Sequence, residues 1–281
     1  MPDIDMKQLE QDAKSDFKRG AFSACASIFI VYPISKLSIR QSLEGVTANS
    51  AFQKLKYEGI VSLYRGIGPP LVQKTAAISM MYGFFAFYKS LYSKLLPEMP
   101  EFLLYTLAGC TSGTIEVIFT PLERVQTLLT CPRHAMALNN MVSGSLYIFK
   151  YYPFKEFYRG WQAVLLRNCV STALFFYIRD EINAHWPVGK YENLKNFMTG
   201  AALGCTMSTL CYPINATRIH MQSELGDQHP NLKESFSRLF NQRNRSIRGL
   251  YFGGGTNALR SLISWGIINT MQQYLVRNNI L

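Results

Sequence analysis

The chain has 281 residues, 48% of them hydrophobic and only 17% charged, with a formal net charge of +11. That balance excludes a disordered or fibrous protein, and a mean hydropathy of +0.01 requires apolar stretches to alternate with charged ones. The positive excess admits nucleic acid, anionic lipid or an anionic small molecule as partner. Nucleic acid fits poorly, because the basic residues sit in loops beside apolar runs rather than along one exposed element.

In chain order, residues 1–16 carry Asp3, Asp5, Glu10, Asp12 and Asp16. A cleavable transit peptide is poor in acids and a secretory signal has an apolar core, so any targeting information is expected to be internal. Apolar segments then cover about 19–42, 67–95, 101–130, 161–186, 194–223 and 254–277. Each is long enough to cross roughly 30 Å of hydrocarbon. The expected fold class is an all-α membrane protein of six transmembrane helices.

The odd-numbered segments contain Tyr32-Pro33-Ile34-Ser35-Lys36, Thr120-Pro121-Leu122-Glu123-Arg124 and Tyr212-Pro213-Ile214-Asn215-Ala216, with the prolines 88 and 92 residues apart. A proline removes a backbone N–H and clashes with the preceding turn. Three kinks at near-equal spacing predict three repeats, over about 15–97, 98–188 and 189–281, in one transmembrane domain. Gly20 with Ala24, Gly109 with Gly113, and Gly200 with Gly204 place small residues one turn apart, and such pairs let helices approach closely.

The three loops after odd segments hold twelve Lys or Arg, among them Lys54, Arg159 and Arg243; the two after even segments hold Lys94, Lys190 and Lys195. Basic loops stay on the non-translocated side, which puts both termini on the opposite side. Each long loop also contains a short helical pattern, such as 51–58, expected on the membrane surface. The six cysteines form no CxxC pair and the four histidines are scattered, so neither a disulfide framework nor a metal site is expected. No nucleophile–base arrangement is evident, so an enzyme is not expected.

Four ionisable residues lie well inside apolar segments: Lys74, Glu116, Arg167 and Arg260. Such residues cost roughly 2.5–3.5 kcal/mol each on insertion and are functional candidates. Arginine offers a planar fork for phosphate or carboxylate, and lysine a compact point charge.

The proline motifs, together with Glu58-Gly59-Ile60-Val61-Ser62-Leu63-Tyr64-Arg65-Gly66, Tyr158-Arg159-Gly160 and Tyr251-Phe252-Gly253, resemble the mitochondrial carrier family over essentially the whole chain. Phe252 stands where that family usually has a base. Pro69-Pro70-Leu71-Val72-Gln73-Lys74-Thr75, Leu166-Arg167-Asn168 and the run from Arg260 to Asn269 are similar to the NAD-carrying branch of the family.

The resemblance implies a monomeric carrier of the mitochondrial inner membrane with both termini toward the intermembrane space. Its substrate contacts map to Gln73, Lys74, Arg167 and Arg260, seven or eight residues after Gly66, Gly160 and Gly253. Glu116, Asn168 and Asn257 join them as candidate contacts. Three cations and one acid suit a ligand with two negative charges and one positive, as in NAD+. It is expected as transported substrate and not as a cofactor. Trp265 is expected to turn away from the cavity and pack.

The matrix gate maps to Ser35 with Gln126, Glu123 with Arg218, and Asn215 with Ser38, braced by Gln222. Only one of these is an ion pair. The cytoplasmic gate maps to Lys89, Asp180 and Gln273, with Lys89–Gln273 as its best contact. Helix N-termini beside Gly66, Gly160 and Gly253 suit the phosphates of cardiolipin. Two alternatives stay open: the same fold carrying another anion (a nucleotide, a phosphorylated cofactor or a carboxylate), and a structural or signalling membrane protein that transports nothing.

Overall fold

Proline decides where two of the three odd segments change their winding. The computed structural model describes residues 6–57, 64, 67–131, 140–186, 192–226, 230–278 and 280. The first odd segment is one long helix, α1 (Met6–Glu44), with Pro33 inside it, followed by the short α2 (Ala48–Tyr57). The first even segment is α3 (Gly68–Leu95). The second odd segment runs as α4 (Glu101–Glu116), a 3-10 turn at Val117–Phe119, and α5 (Thr120–Thr130), which carries Pro121 in its first turn.

Next come α6 (Met141–Tyr151), a 3-10 turn at Phe154–Tyr158, and α7 (Trp161–His185). The third odd segment is α8 (Glu192–Leu210) and α9 (Tyr212–Ser223), separated at Cys211, with Pro213 in the first turn of α9. α10 (Leu232–Gln242), α11 (Ile247–Leu250) and α12 (Gly254–Arg277) complete the chain. Among the described residues there is no strand.

The expected segments are thus recovered to within a few residues, with two corrections. α1 starts at Met6 rather than near 19, and an Asp16–Arg19 pair at i,i+3 supports the added turns (3.5 Å). The three expected interruptions become two. At Pro121 and Pro213 the ring falls at a helix start, where the missing N–H has no partner to lose, whereas Pro33 lies within an unbroken helix.

Six helices close a ring. α1 packs on α3 and α12, α3 on α4, α4 on α7, α7 on α8, and α8 on α12. The small-residue pairs explain the close approach. A Cβ at Gly109 would stand 2.7 Å from the Ala173 backbone, and one at Gly200 2.5 Å from the Trp265 carbonyl oxygen. Two helical stretches, 11–41 and 101–129, are long and apolar enough to cross a membrane on composition alone. The other long helices carry more polar residues, and those collect on the inner face of the ring.

α2, α6 and α10 lie outside the ring, after its odd helices. α6 opens with a reciprocal cap: Asn140 Oδ1 accepts from the Ser143 N–H at 2.8 Å, and Ser143 Oγ accepts from the Asn140 N–H at 3.1 Å. Small apolar clusters seat α6 and α10, with Ile148 on Val125 and Leu128, and Leu239 on Tyr212 and Ala216. α1 meets the C-terminal segment at the opposite end of the ring, where Arg19 Nε donates to the Ile280 carbonyl at 3.3 Å. The ring therefore has a proline end and a termini end.

Candidate functional site

A cavity of about 290 Å³ occupies the middle of the ring. It brings together Lys74 from α3, Glu116 from α4, Glu123 from α5, Arg167 from α7, and Asn257 and Arg260 from α12. The four ionisable residues singled out from the sequence all line it.

The cations differ in how they are held. Lys74 forms no hydrogen bond or ion pair among the described residues. Among the described residues Arg260 has only neutral partners, Asn257 Oδ1 at 3.1 Å and Ser261 Oγ at 2.9 Å. Neither is paired with Glu116. Arg167 donates to Asn168 Oδ1 (2.9 and 3.0 Å), to Asn215 Oδ1 (3.4 Å) and to Glu123 Oε1 (3.3 Å).

Glu116 accepts from Asn168 Nδ2 at 3.1 Å through Oε2, while its Oε1 is buried with no partner. A buried carboxylate oxygen left unmatched is costly, and a ligand donor or cation would satisfy it. Asn168 and Asn257 prove to be committed within the protein: Asn168 links Arg167 to Glu116, and Asn257 links Arg260 to Ser208 (2.6 Å). They orient charged side chains rather than offering free amides. Trp265 lines the cavity and packs on Phe175 (centroids 4.7 Å apart), so the expectation that it turns away is corrected. Its position is fixed by Gly204, where a Cβ would come within 2.4 Å of it.

The proline end closes on Glu123. Its Oε2 is held by Arg218, and its Oε1 accepts from both Arg167 and Gln73 (3.3 Å each). Gln73 is buried and faces this carboxylate. Gln222 braces the pair, its Oε1 accepting from Arg218 and from Thr127 Oγ1 at 3.3 Å each. Ser35 and Gln126 line the cavity, and Ser35 Oγ donates to the Val31 carbonyl at 3.2 Å.

Asn215 does not pair with Ser38. Its Oδ1 is taken by Arg167 and by Arg218 Nε (3.1 Å), and Ser38 donates to the Gly253 carbonyl at 3.4 Å. A guanidinium is the stronger donor, which explains the exchange.

At the termini end a second recess, about 390 Å³, holds Asp16, Arg19, Lys89, Arg179, Asp180 and Gln273. It shares no lining residue with the central cavity. Phe85 and Phe176 stack between them, centroids 3.9 Å apart and 9° from parallel, with Tyr82 edge-on to Phe176 at 5.2 Å. Lys89 binds Asp180 at 3.0 Å, not Gln273, and also donates to the Tyr105 hydroxyl, which itself donates to Asp180 at 2.7 Å. Arg179 holds the other oxygen of Asp180 at 2.7 Å. A carboxylate between two cations outcompetes a neutral amide.

Sequence reasoning missed one buried network. Arg124 is fully buried; it donates to Glu156 Oε1 at 2.6 Å and to the carbonyls of Gln222 and Glu224. Arg159 joins Glu156 (3.2 Å) to Glu224 (3.2 Å). The available signal was Arg124 itself, next to Glu123 in the second proline motif. Gly160 and Gly253 have φ of +82° and +84° and immediately precede α7 and α12. Gly66 and the rest of the 58–66 motif, except Tyr64, lie outside the described residues.

The family model for mitochondrial carrier proteins matches three times, over residues 11–96, 98–188 and 189–279. The chain belongs to the mitochondrial carrier family. Within it, the chain is 36% identical over 261 residues to the human mitochondrial nicotinamide adenine dinucleotide transporter SLC25A52, covering 92% of this chain and 87% of that protein. The human and mouse mitochondrial nicotinamide adenine dinucleotide transporter SLC25A51 match at 36% and 34% over the same shares. Members of this family are carriers.

Proposed function

We propose that this chain carries NAD+ across the mitochondrial inner membrane by alternating access, binding it in the central cavity. The observation that carries the reading is a charge pattern. Among the described residues Lys74 and Arg260 have no acidic partner, and Glu116 keeps one buried oxygen unmatched across the same cavity. A ligand with an anionic pyrophosphate and a cationic ring satisfies both ends at once, and the similarity to the nicotinamide adenine dinucleotide transporters supports that choice.

In this reading Arg260 and Lys74 hold the pyrophosphate and Glu116 faces the nicotinamide. Arg167 leaves Glu123 when phosphate replaces it. A volume of about 290 Å³ is at the low end for ligand pockets, roughly 300–1,000 Å³, so a dinucleotide needs one end to open. Binding energy offsets the cost of breaking one gate while the other forms. The proline end is assigned to the matrix and the termini end to the intermembrane space, from the basic loops. Six helical spans, a monomer, and cardiolipin phosphates at the helix starts after Gly160 and Gly253 (with Gly66 by repeat symmetry) belong to the same proposal.

The test is uptake of labelled NAD+ into liposomes holding the purified protein, competed with NADH, NMN, ATP, malate and thiamine pyrophosphate, beside Arg260→Ala. Uptake blocked best by unlabelled NAD+ and lost in the variant is expected. Exchange of another competitor without NAD+ uptake would leave the fold and overturn the substrate.

A further inference from the structure

The repeats do not close their corners at the proline end in the same way. In the second repeat, Arg159 of Tyr158-Arg159-Gly160 crosses to Glu224, eleven residues after Pro213 and just beyond the end of α9. The position eleven after Pro33 is Glu44, the last residue of α1. The motif abutting that end is Tyr251-Phe252-Gly253, in which phenylalanine occupies the place of the arginine.

Another arginine reaches this corner. The guanidinium of Arg243, just past α10, lies over the Phe252 ring, 5.5 Å from its centroid. It also fills the space above Gly45, where a Cβ would stand 1.9 Å from Arg243 Nη1. The backbone of Arg243 is pressed on Gly249, where a Cβ would come 2.7 Å from its carbonyl oxygen. Two glycines on different segments therefore make room for one residue, Gly45 for its guanidinium and Gly249 for its backbone.

The chain also accepts an unfavourable turn to aim it. Asn244 and Arg245 adopt φ of 56° and 53°, a region that a Cβ disfavours, and the Arg245 N–H returns to the Phe240 carbonyl at 2.9 Å. The corner is otherwise tied by Tyr212, whose hydroxyl donates to the Phe252 carbonyl, and by Ser38 on Gly253. Burial lowers the Arg243 pKa from its usual value, with Tyr212 acting in the opposite sense.

We propose that Arg243 takes the place of the missing motif base in bracing this corner: packed on Phe252 and Gly45 beside the Arg40–Glu44 pair (3.3 Å), it ties the third repeat to the end of α1 and holds the proline end closed. It is a positioning residue and not a substrate contact. The inference rests on the alternating-access reading but not on NAD+ as the substrate.

Cys211, buried in the cavity wall, serves as a reporter in a chain whose other five cysteines are replaced by serine. Its labelling by a water-soluble maleimide measures opening without any substrate. Arg243→Ala is expected to speed labelling about tenfold, the factor that corresponds to about 1.4 kcal/mol, and adding Phe252→Arg to return it to the parental rate. Arg243→Lys, which keeps charge but loses the fork, is expected to fall between.

Labelling of a folded Arg243→Ala chain at the parental rate overturns the proposal. So does fast labelling that Phe252→Arg fails to slow. If Arg243→Ala does not fold, recovery of the fold by Phe252→Arg supports the replacement and its failure overturns it. NAD+ uptake in the same set separates this outcome from failure of the substrate reading, since the labelling result stands without it.

Discussion

Arg167, on the cavity wall, donates to the same carboxylate of Glu123 that Arg218 holds at the proline end. The residue proposed to meet the substrate and the residue proposed to close the gate thus share one acid. An anion that captures Arg167 removes one of the groups stabilising Glu123, so occupancy and gate strength are linked through a single side chain.

Glu123→Gln leaves two guanidinium groups facing a neutral amide. The Glu123 and Arg218 side chains are 14% and 12% exposed, and leaving a charge unmatched in such a partly buried site costs about 1–3 kcal/mol, here in the closed form; Arg218→Gln acts in the same direction. Both variants are expected to lower the initial rate of NAD+ uptake and the melting temperature in detergent. If each transports at the parental rate, the gate assignment is wrong.

At the termini end the aromatic layer is expected to dominate over the ion pair. Lys89 and Asp180 are 36% and 27% exposed, so Lys89→Gln should cost only about 0–1 kcal/mol. Phe85 is 3% exposed and stacked on Phe176. Phe85→Ala should cost about 3–5 kcal/mol and open the cavity toward the recess. Comparing the melting temperatures of the two variants checks the order, and a larger effect from Lys89 would reverse the account.

Arg124 makes three directed contacts from full burial, to one carboxylate and two carbonyls. Arg124→Gln is expected to destabilise by about 3–5 kcal/mol. Arg124→Lys should rescue little, because a point charge cannot reproduce the fork. Full stability of the lysine variant would show that charge alone matters there.

A close backbone contact between α4 and α7 gives a steric prediction. Gly109→Ala puts a Cβ 2.7 Å from the Ala173 backbone, and overpacking of this kind costs about 1–3 kcal/mol. Gly255 faces open space, so Gly255→Ala should be neutral or stabilising by up to about 1 kcal/mol. Melting curves of the two single variants decide it.

The helices and the cavity charges were legible in the sequence because both leave one-dimensional marks: apolar length, proline spacing, and ionisable residues inside apolar runs. Lys74, Glu116, Arg167 and Arg260 meet in one cavity for that reason. Pairing was less legible, because it depends on which of several donors wins. Asn215 goes to the two arginines rather than to Ser38, and Lys89 to Asp180 rather than to Gln273. The Phe85–Phe176 layer left no mark at all, since aromatic residues inside an apolar run read as ordinary packing. Arg243 was visible only as one more loop base until Gly45, Gly249 and Phe252 were seen around it.

The cavity charges are distributed unequally around a ring built from three similar units. Lys74 belongs to the first repeat, Glu116 and Arg167 to the second, and Arg260 to the third, and only the second carries an acid among them. A threefold-symmetric cage would accept one molecule in three equivalent poses, whereas this one has an electrical compass. A ligand with unlike ends can settle in a single heading around the ring axis.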